Sequence, residues 1–316
     1  MIISAYTRII IFYFSGTGNA RKVAEWISEI AKLKQIHCEL FNIADFGKME
    51  LPEINPSTLL GICGPTHGFN FPPIVLNFLI KLPGFKGASA FIINTRAGMK
   101  LYKLFLPGLS GIAQYFAAFV LKLKGYHIVG MQPMDLPSNW ISLHPGLREK
   151  VVHSIFERCK KITGNFAEHI INGGRKYKAL WSLPFDLAVA PVSLLYYIVG
   201  RFAIAKTFVA SSKCNKCYLC IKQCPVKAIK MVSRRPFWTF NCESCMQCMN
   251  NCPHRAIETA FGFTFIIWWG IMSFVPVWIL TNIFEGPLEV FNKKPFLYWL
   301  LYNALYVGAF LIIIFI

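Results

Sequence analysis

The chain has 316 residues, of which 55% are hydrophobic and 15% are charged, and its 33 lysines and arginines against 15 aspartates and glutamates give a formal net charge of +18. This composition excludes a disordered regulator and is unusual for a soluble enzyme, and the length excludes a single small domain. The mean hydropathy of +0.45 indicates a membrane, and the charge indicates anionic lipid, acidic protein partners or anionic cofactors.

The first 178 residues alternate apolar runs that are typical of strands with patterns that are typical of helices. Strands are predicted at residues 9–14, 37–42, 59–63, 88–94 and 127–131. Helices are predicted near residues 20–33, 72–81, 104–124 and 146–171. Because strands that are separated by helices pair in parallel, the sequence predicts a doubly wound α/β domain with helices on both faces of its sheet.

A glycine-rich loop follows the first predicted strand and leads into the first helix, and it consists of Ser15, Gly16, Thr17, Gly18 and Asn19. The N–H groups and the dipole at a helix N-terminus, together with the polar side chains of this loop, can bind a phosphate dianion. The loop lacks the lysine of a nucleoside-triphosphate loop and the third glycine of a dinucleotide fingerprint. A simple tight turn is the alternative.

Two further loops are predicted at the carboxyl ends of the third and fourth strands, where open parallel sheets bind ligands. They contain Pro65, Thr66, His67, Gly68, Phe69 and Asn70, and Asn94, Thr95, Arg96, Ala97 and Gly98. Residues 8–172 with these loops resemble the flavodoxins, and residues 15–19 take the place of the phosphate loop. The resemblance implies a flavodoxin-like sheet that binds FMN, with the isoalloxazine held by the two later loops and Arg96 near the flavin. Ala20 departs from the family, in which a threonine or serine is common at this place.

Eight of the eleven cysteines lie between residues 214 and 252, in two copies of the pattern C-x2-C-x2-C-x3-C-P. Such spacing indicates thiolates that bind metal in a reducing compartment. Structural zinc is the alternative, although zinc uses two separated pairs and has no role for a third cysteine at the same gap. An Ala-Ile pair follows each motif, at residues 228–229 and 256–257, and the whole segment resembles the bacterial two-cluster ferredoxins.

The ferredoxin resemblance implies two 4Fe-4S clusters in a small α+β domain, each bound by three cysteines of one motif and the fourth of the other. The first cluster would be bound by Cys214, Cys217, Cys220 and Cys252. The second would be bound by Cys242, Cys245, Cys248 and Cys224. Because fully cysteine-ligated iron leaves no open position for a substrate, electron transfer is the expected role.

Two long uncharged stretches, residues 261–284 and 296–316, predict a C-terminal transmembrane helical hairpin. A pair of buried core helices is the alternative. Residues 179–200 are also long enough to cross a bilayer, but they contain Asp186, Pro184 and Pro191. The basic segments on both sides of this stretch favour the same, cytoplasmic, side of the membrane. We therefore expect the stretch to lie on the membrane and not to cross it.

The predicted organisation is a flavodoxin-like FMN domain at 1–178, a membrane-associated segment at 179–205, a ferredoxin domain at 206–260 and two transmembrane helices at 261–316. This order resembles the fused bacterial flavodoxin-ferredoxin electron-transfer proteins. In that family a Pro-x-Asn-aromatic element lies beside the flavin, and here it is Pro137, Ser138, Asn139 and Trp140. A surface loop is the alternative for Asn139 and Trp140.

These features predict an electron-transfer protein of the cytoplasmic membrane, with FMN and two 4Fe-4S clusters on the cytoplasmic side. Its expected partners are a redox protein, such as an acidic ferredoxin or flavodoxin, or a quinone, together with membrane lipid. One alternative is an FMN-dependent reductase of a quinone or other small acceptor with the clusters as its internal relay. Another is an iron-sulfur sensing or structural module. Nucleic acid is not expected as a partner, since no recognised binding motif accompanies the basic residues.

Overall fold

A computed structural model describes residues 5–48, 50–141, 146–260 and 295–315, and isolated positions between 262 and 278. The first part of the chain contains a seven-stranded sheet. Its strands are β1 (Arg8–Tyr13), β2 (His37–Asn42), β3 (Thr58–Pro65), β4 (Ser89–Leu101), β5 (Leu104–Leu106), β6 (His127–Pro137) and β7 (Lys176–Tyr177). The order is β2-β1-β3-β4-β6-β7, and these neighbours are parallel, whereas β5 is antiparallel to β4. This is the flavodoxin strand order, so the predicted flavodoxin-like α/β domain is confirmed.

Four helices cover the two faces of this sheet. They are α1 (Asn19–Leu33), α2 (Pro73–Lys81), α3 (Ala113–Leu123) and α4 (Glu149–Ile171). Strand side chains alternate between faces, so Ile9 and Ile11 pack with α1 and α4, while Ile10 and Phe12 pack with α2 and α3. Both faces of β1 are fully buried, which explains why the sequence of this strand is continuously apolar.

The prediction of a loop at residues 94–98 is wrong, because these residues lie inside strand β4. The strand pairs with β6 as far as Gly98 and then turns into a hairpin with β5. Arg96 faces Asp135 in the β4–β6 register, and the pair forms an ion pair of 2.6 Å with side chains only 7% and 14% exposed. This buried pair holds the two strands together past the predicted turn. As a consequence, α3 begins at Ala113 and not near residue 104.

The bridging segment, residues 178–206, connects the sheet to the cysteine motifs. It contains a 3₁₀ helix (Lys178–Ser182), α5 (Leu183–Ala188), α6 (Ala190–Leu195), a π-helix (Tyr196–Gly200) and α7 (Arg201–Lys206). These form two helical stretches, Lys178–Ala188 and Ala190–Lys206, bent by 75°. Several large apolar side chains of the segment are exposed, among them Trp181 at 79% and Phe185 at 68%.

Asp186 faces the interior of the protein and ties the bridging segment to the sheet domain. Its carboxylate is fully buried and accepts hydrogen bonds from the backbone N–H groups of Ser110 and Gly111, at 2.9 and 2.8 Å. The hydroxyls of Tyr115 and Ser182 donate to the same carboxylate at 3.2 and 2.7 Å. This charge, which disfavours a membrane span, is therefore satisfied inside the protein.

The two cysteine motifs lie in a small α+β domain. It contains β8 (Phe208–Ala210), α8 (Leu219–Lys222), β9 (Ile229–Val232), β10 (Arg235–Trp238), α9 (Gln247–Asn250) and β11 (Ile257–Thr259). Strand β8 pairs with β11 and β9 pairs with β10, both antiparallel. The core between the two halves contains Phe208, Ile229, Trp238, Met249 and Ile257. The repeat in the sequence thus becomes two similar halves that share one core.

The predicted C-terminal hairpin is only partly covered. Except for isolated positions, residues 261–284 and the link 285–294 lie outside the described residues. The second predicted span coincides with α10 (Pro295–Phe315), whose side chains are described in part. Among the described residues, no single helix is long and apolar enough to cross a membrane. The bent pair of helical stretches in the bridging segment is long and apolar enough when the two are taken together. The predicted domain boundaries stay predictions.

Candidate functional site

A cavity of about 130 Å³ opens at the carboxyl ends of β1, β3 and β6, beside the second half of β4. Most of the predicted flavin-site residues line it: Ser15, Gly16, Thr17, Asn19, Pro65, Thr66, His67, Thr95, Arg96, Ala97, Asn139 and Trp140. The predicted segments therefore do meet at one edge of the sheet. Their role as cofactor ligands stays a prediction.

The glycine-rich loop has a conformation that exposes its donors at the start of α1. Gly18 has a φ of +98°, a left-handed value that favours glycine. Its N–H donates to the Ser15 hydroxyl at 3.0 Å, and its carbonyl accepts from the Lys22 N–H at 2.9 Å. The Asn19 amide donates to the Pro137 carbonyl at 2.9 Å. These bonds fix the loop against the end of β6 and leave the cavity at the positive end of the helix dipole.

Six predicted residues do not line the cavity: Gly18, Gly68, Phe69, Asn70, Asn94 and Gly98. The described contacts give several of them a supporting role. The Asn94 amide donates to the Thr66 hydroxyl at 2.6 Å, and the Phe69 carbonyl accepts from the Ile112 N–H at 2.9 Å. Gly68 has a φ of +53° and lies so close to Tyr196 that an added Cβ would be 2.0 Å from the Cγ of that ring. The loop after β3 is thus packed directly against the bridging segment.

Arg96 lines the cavity, but its charge is already paired. Its Nε atom lies 2.6 Å from Oδ1 of Asp135, and an Nη atom donates to the Ser110 hydroxyl at 3.1 Å. The carboxylate of Asp135 also accepts from the Gly108 N–H at 2.9 Å. The site therefore offers an anion mainly backbone and hydroxyl donors, and little unpaired positive charge from Arg96.

One wall of the cavity comes from the second cysteine motif, through Ser244, Cys245 and Met246. The glycine-rich loop touches this wall directly. A Cβ added to Gly16 would lie 2.6 Å from both the Cβ and the carbonyl oxygen of Cys245, which is closer than real Cβ atoms approach. Gly16 is therefore required by space, and the loop lies against a predicted cluster ligand.

The segment from Pro137 to Trp140 lies between the two domains. The Asn139 amide donates to the Thr17 hydroxyl, and the Asn139 carbonyl accepts from the Asn250 amide at 2.8 Å. Trp140 packs against the core of the cysteine domain. Residues that the predicted flavin site did not include are Ala20, Pro137, Ser138, Ser244, Cys245 and Met246. Pro137 and Ser138 belong to the element that the family resemblance identified, whereas nothing local in the sequence indicates the last three.

His67 and Glu243 form another contact between the domains. The His67 ring hydrogen-bonds to the backbone of Glu243, and burial lowers the pKa of this histidine to about 4, so it is neutral at pH 7. The Glu243 carboxyl hydrogen-bonds to the backbone of Ile74, and burial raises its pKa to about 7, against the opposing effects of Arg201 and Ile74. Two residues of the sheet domain, His67 and Ile74, thus contact Glu243 through its backbone and its side chain.

The eight cysteines of the two motifs lie near one another, and their division between two clusters stays a prediction. Cys214, Cys217, Cys220 and Cys252 line one cavity, to which Cys248 also contributes. Cys242 lies within electrostatic reach of Cys245, Cys248 and Cys224. In the described part of the chain, no three histidine, cysteine or acidic side chains form a site for a single metal ion.

The fourth cysteine of each motif has the same backbone partner. The Ala228 N–H donates to Sγ of Cys224 at 3.2 Å, and the Ala256 N–H donates to Sγ of Cys252 at 3.3 Å. The indole N–H of Trp238 donates to Sγ of Cys248 at 3.4 Å. Burial is the main cause that raises the pKa of Cys248 to about 11, so loss of the thiol proton has to accompany metal binding.

Residues 213–257 match the 4Fe-4S dicluster domain family. The match covers both motifs, and the chain therefore combines a 4Fe-4S dicluster domain with a flavodoxin-like α/β domain. No curated protein matches the chain.

Several solved flavodoxins are similar in structure. Oxidised flavodoxin 1 from Bacillus cereus is 18% identical, over 51% of this chain and 98% of that chain, with a TM-score of 0.32. A flavodoxin from the domain Archaea is 15% identical, over 51% of this chain and 96% of that chain, with a TM-score of 0.33. Rubredoxin oxygen:oxidoreductase from Desulfovibrio gigas is 14% identical, over 51% of this chain and 35% of that chain, with a TM-score of 0.31.

Proposed function

We propose that this protein is an electron-transfer protein in which the cavity at the sheet edge binds FMN and the two cysteine groups bind two 4Fe-4S clusters. The observation that carries the proposal is the contact between Gly16 and Cys245, which leaves no room for a Cβ on the glycine. It brings the loop expected to bind the phosphate against the loop expected to bind a cluster. Bound FMN supplies chemistry in which electrons pass singly or in pairs, whereas each cluster passes one at a time.

The residues of the cavity fit a phosphate ester better than a free aromatic ring. Ser15 and Thr17 supply hydroxyls, and the N-terminus of α1 supplies N–H groups and a positive dipole end. The cavity volume of about 130 Å³ is below the ~300 Å³ usual for ligand pockets. The described cavity would therefore hold the phosphate end of FMN, through Ser15, Thr17 and the start of α1.

An anaerobic reductive titration of the full chain tests this proposal. We expect about eight iron atoms and one FMN per chain. We also expect the flavin and the clusters to exchange electrons within one molecule during the titration. Iron and flavin analysis with optical and paramagnetic-resonance spectra at each step measures both. Zinc in place of iron, or clusters that never equilibrate with the bound flavin, would contradict the proposal. A flavin-free protein with intact clusters would favour the sensing or structural alternative.

The titrated protein also distinguishes a carrier from a reductase. A carrier takes up electrons only when a redox partner protein, such as an acidic ferredoxin or flavodoxin, is added. A reductase turns over NAD(P)H and a quinone by itself. The carrier is our proposal, because the cavity at the flavin site has a volume of only about 130 Å³ and leaves little space for a second substrate beside FMN.

We further propose that the protein is bound to the cytoplasmic membrane, with both redox domains on the cytoplasmic side. The support is the exposed apolar surface of the bridging segment, where Trp181, Phe185, Leu194 and Leu195 are each at least 60% exposed. The Lys178 ammonium lies 3.4 Å from the centroid of the Trp181 ring, an arrangement of cation and indole that suits the headgroup region. The apolar C-terminal residues would add an anchor.

Changing Phe185 to glutamate is expected to weaken the contact between the bridging segment and lipid. Burial of a phenylalanine side chain contributes about 1.5–3 kcal/mol, and the introduced charge is repelled by anionic headgroups. Hydrogen exchange measured by mass spectrometry on the full chain, with and without phosphatidylserine vesicles, reports the effect. In the wild type, vesicles protect residues 178–200, and in Phe185→Glu this protection is lost.

The matched control is Leu33→Glu, because Leu33 is 80% exposed at the end of α1 on the other face of the sheet. This variant is expected to keep the protection of residues 178–200. Equal protection in the wild type and Phe185→Glu would show that the segment does not touch lipid.

A further inference from the structure

A second cavity, of about 570 Å³, lies between the two domains and shares no lining residue with the first. One wall comes from residues 43–46 and helix α2 of the sheet domain, and another from Val226, Phe240, Asn241 and Glu243 of the cysteine domain. Arg201 and Phe202 of α7 complete it. The volume is within the range of roughly 300–1,000 Å³ that is typical of small-molecule sites.

The walls of this cavity are aromatic on both sides. Phe46 and Phe78 of the sheet domain meet edge to face, with ring centroids 5.0 Å apart. Phe202 and Phe240 form a similar pair across the cavity lining, with centroids 5.7 Å apart. Such rings favour a flat, apolar ligand that offers its own ring face or edge.

Two residues of the cavity lining also carry a charge. Among the residues that the structure describes, Nε of Arg201 and Oε2 of Glu243 are buried and have no hydrogen-bond partner. The Arg201 guanidinium stacks on the Phe202 ring, 4.3 Å from its centroid, and so is held at the aromatic wall. Buried donors and acceptors are destabilising when they are left unpaired. An acceptor oxygen on a flat ring would suit the Arg201 guanidinium, which is the donor among these groups.

The position of the cavity indicates which flat ligand fits. Asn241 and Glu243 flank Cys242, so a bound molecule would lie beside a predicted ligand of the second cluster. Arg201 continues the helical stretch Ala190–Lys206, which is part of the segment with the exposed apolar surface. A ligand from the lipid phase would therefore reach the cavity and a redox centre at the same place.

We propose that this cavity binds a quinone, with a carbonyl oxygen accepting from the Arg201 guanidinium and the ring between the two phenylalanine pairs. The choice of ligand class rests on the proposed electron-transfer function. The site itself rests on the cavity, its aromatic walls and the arginine that lines it.

Equilibrium dialysis of the oxidised, cofactor-loaded full chain against menadione tests the site without any electron transfer, with micelles of the same detergent as the blank. We expect one saturable site. Arg201→Gln is expected to weaken binding about tenfold or more, as for loss of a hydrogen bond from a charged donor. The control Arg148→Gln changes an exposed arginine that does not line the cavity, and it is expected to bind like the wild type.

A second variant keeps the test informative if Arg201→Gln fails to fold. Asn77 lines the cavity from the exposed side of α2, so Asn77→Trp fills the space while leaving the core intact, and binding is expected to be lost. Unsaturable binding by the wild type, unchanged affinity in both variants, or tighter binding of 1-naphthoate than of menadione would overturn the proposal. Iron and flavin counts are measured on the same samples, so failure of the quinone site is distinguished from failure of cofactor binding.

Discussion

Replacing Cys252 by alanine is expected to remove the cluster of the first motif and to leave that of the second, so that iron falls from about eight to about four atoms per chain. Cys252 lines the same cavity as the first three cysteines of the other motif, and a 4Fe-4S cluster needs all four thiolates. Cys214→Ala is expected to give the same loss. Iron analysis and paramagnetic-resonance spectra of the dithionite-reduced variants measure it.

The reciprocal variant is Cys224→Ala, which is expected to remove the other cluster because Cys224 lies within electrostatic reach of Cys242 and Cys245. Cys159→Ala is the control, since Cys159 is fully buried between the sheet and α4 and is expected to leave the iron content unchanged. If Cys252→Ala and Cys242→Ala abolish the same paramagnetic signal while Cys214→Ala abolishes the other, the crossover between the motifs is wrong.

Gly16→Ala is expected to separate the glycine-rich loop from the second cysteine motif. The new Cβ would lie 2.6 Å from the Cβ and carbonyl oxygen of Cys245, so one of the two loops has to move. Overpacking of this kind is destabilising by about 1–3 kcal/mol. We expect the glycine-rich loop to leave its phosphate-binding conformation, so that the FMN affinity falls by up to about 150-fold. The quenching of FMN fluorescence on binding measures the affinity, and stopped-flow spectra measure electron exchange with the clusters.

The matched control for this variant is Gly47→Ala, because no atom lies within 4 Å of the Cβ position at Gly47 and its φ is not left-handed. It is expected to retain both the FMN affinity and the rate of electron exchange. A Gly16→Ala protein with wild-type affinity and wild-type exchange would remove the contact with Cys245 from the proposed path.

The sheet domain could be predicted from the sequence because the alternation of its strands and helices follows from local patterns. Apolar runs such as residues 9–14 are buried on both faces, and this burial leaves a clear signal. The region of residues 94–98 could not be predicted in the same way. Asparagine and glycine are typical of turns, but here the buried pair of Arg96 and Asp135, which are 39 residues apart in sequence, extends the strand.

Only the part of the candidate site that comes from the sheet domain could be predicted from the sequence. Loops after parallel strands meet at one edge by topology, and the structure brings most of the predicted residues together there. The wall from Ser244 to Met246 depends on how the two domains dock, which is set by single contacts such as those of Asn139 with Asn250 and of His67 with Glu243. Contacts of this kind leave no periodic pattern in the sequence.

The position of the Asp186 side chain could not be predicted from the composition of its segment. A carboxylate inside an apolar stretch usually indicates that the stretch does not contact a membrane. Here the carboxylate accepts hydrogen bonds from two backbone N–H groups and two hydroxyls of the protein. The apolar side chains of the same segment remain on the outer surface. Which face a charge occupies depends on the neighbouring domain and cannot be deduced from the segment alone.

The close packing of Gly68 against Tyr196 joins the loop after β3 to the bridging segment without room for a single additional methyl group. A displacement of either element is therefore transmitted to the other. Thermodynamic linkage makes such coupling reciprocal. For the proposed flavin site and lipid-binding surface, the factor by which a bilayer changes the affinity for FMN would equal the factor by which FMN changes the affinity for a bilayer. Under that proposal, removal of FMN alters how the protein partitions between lipid and water.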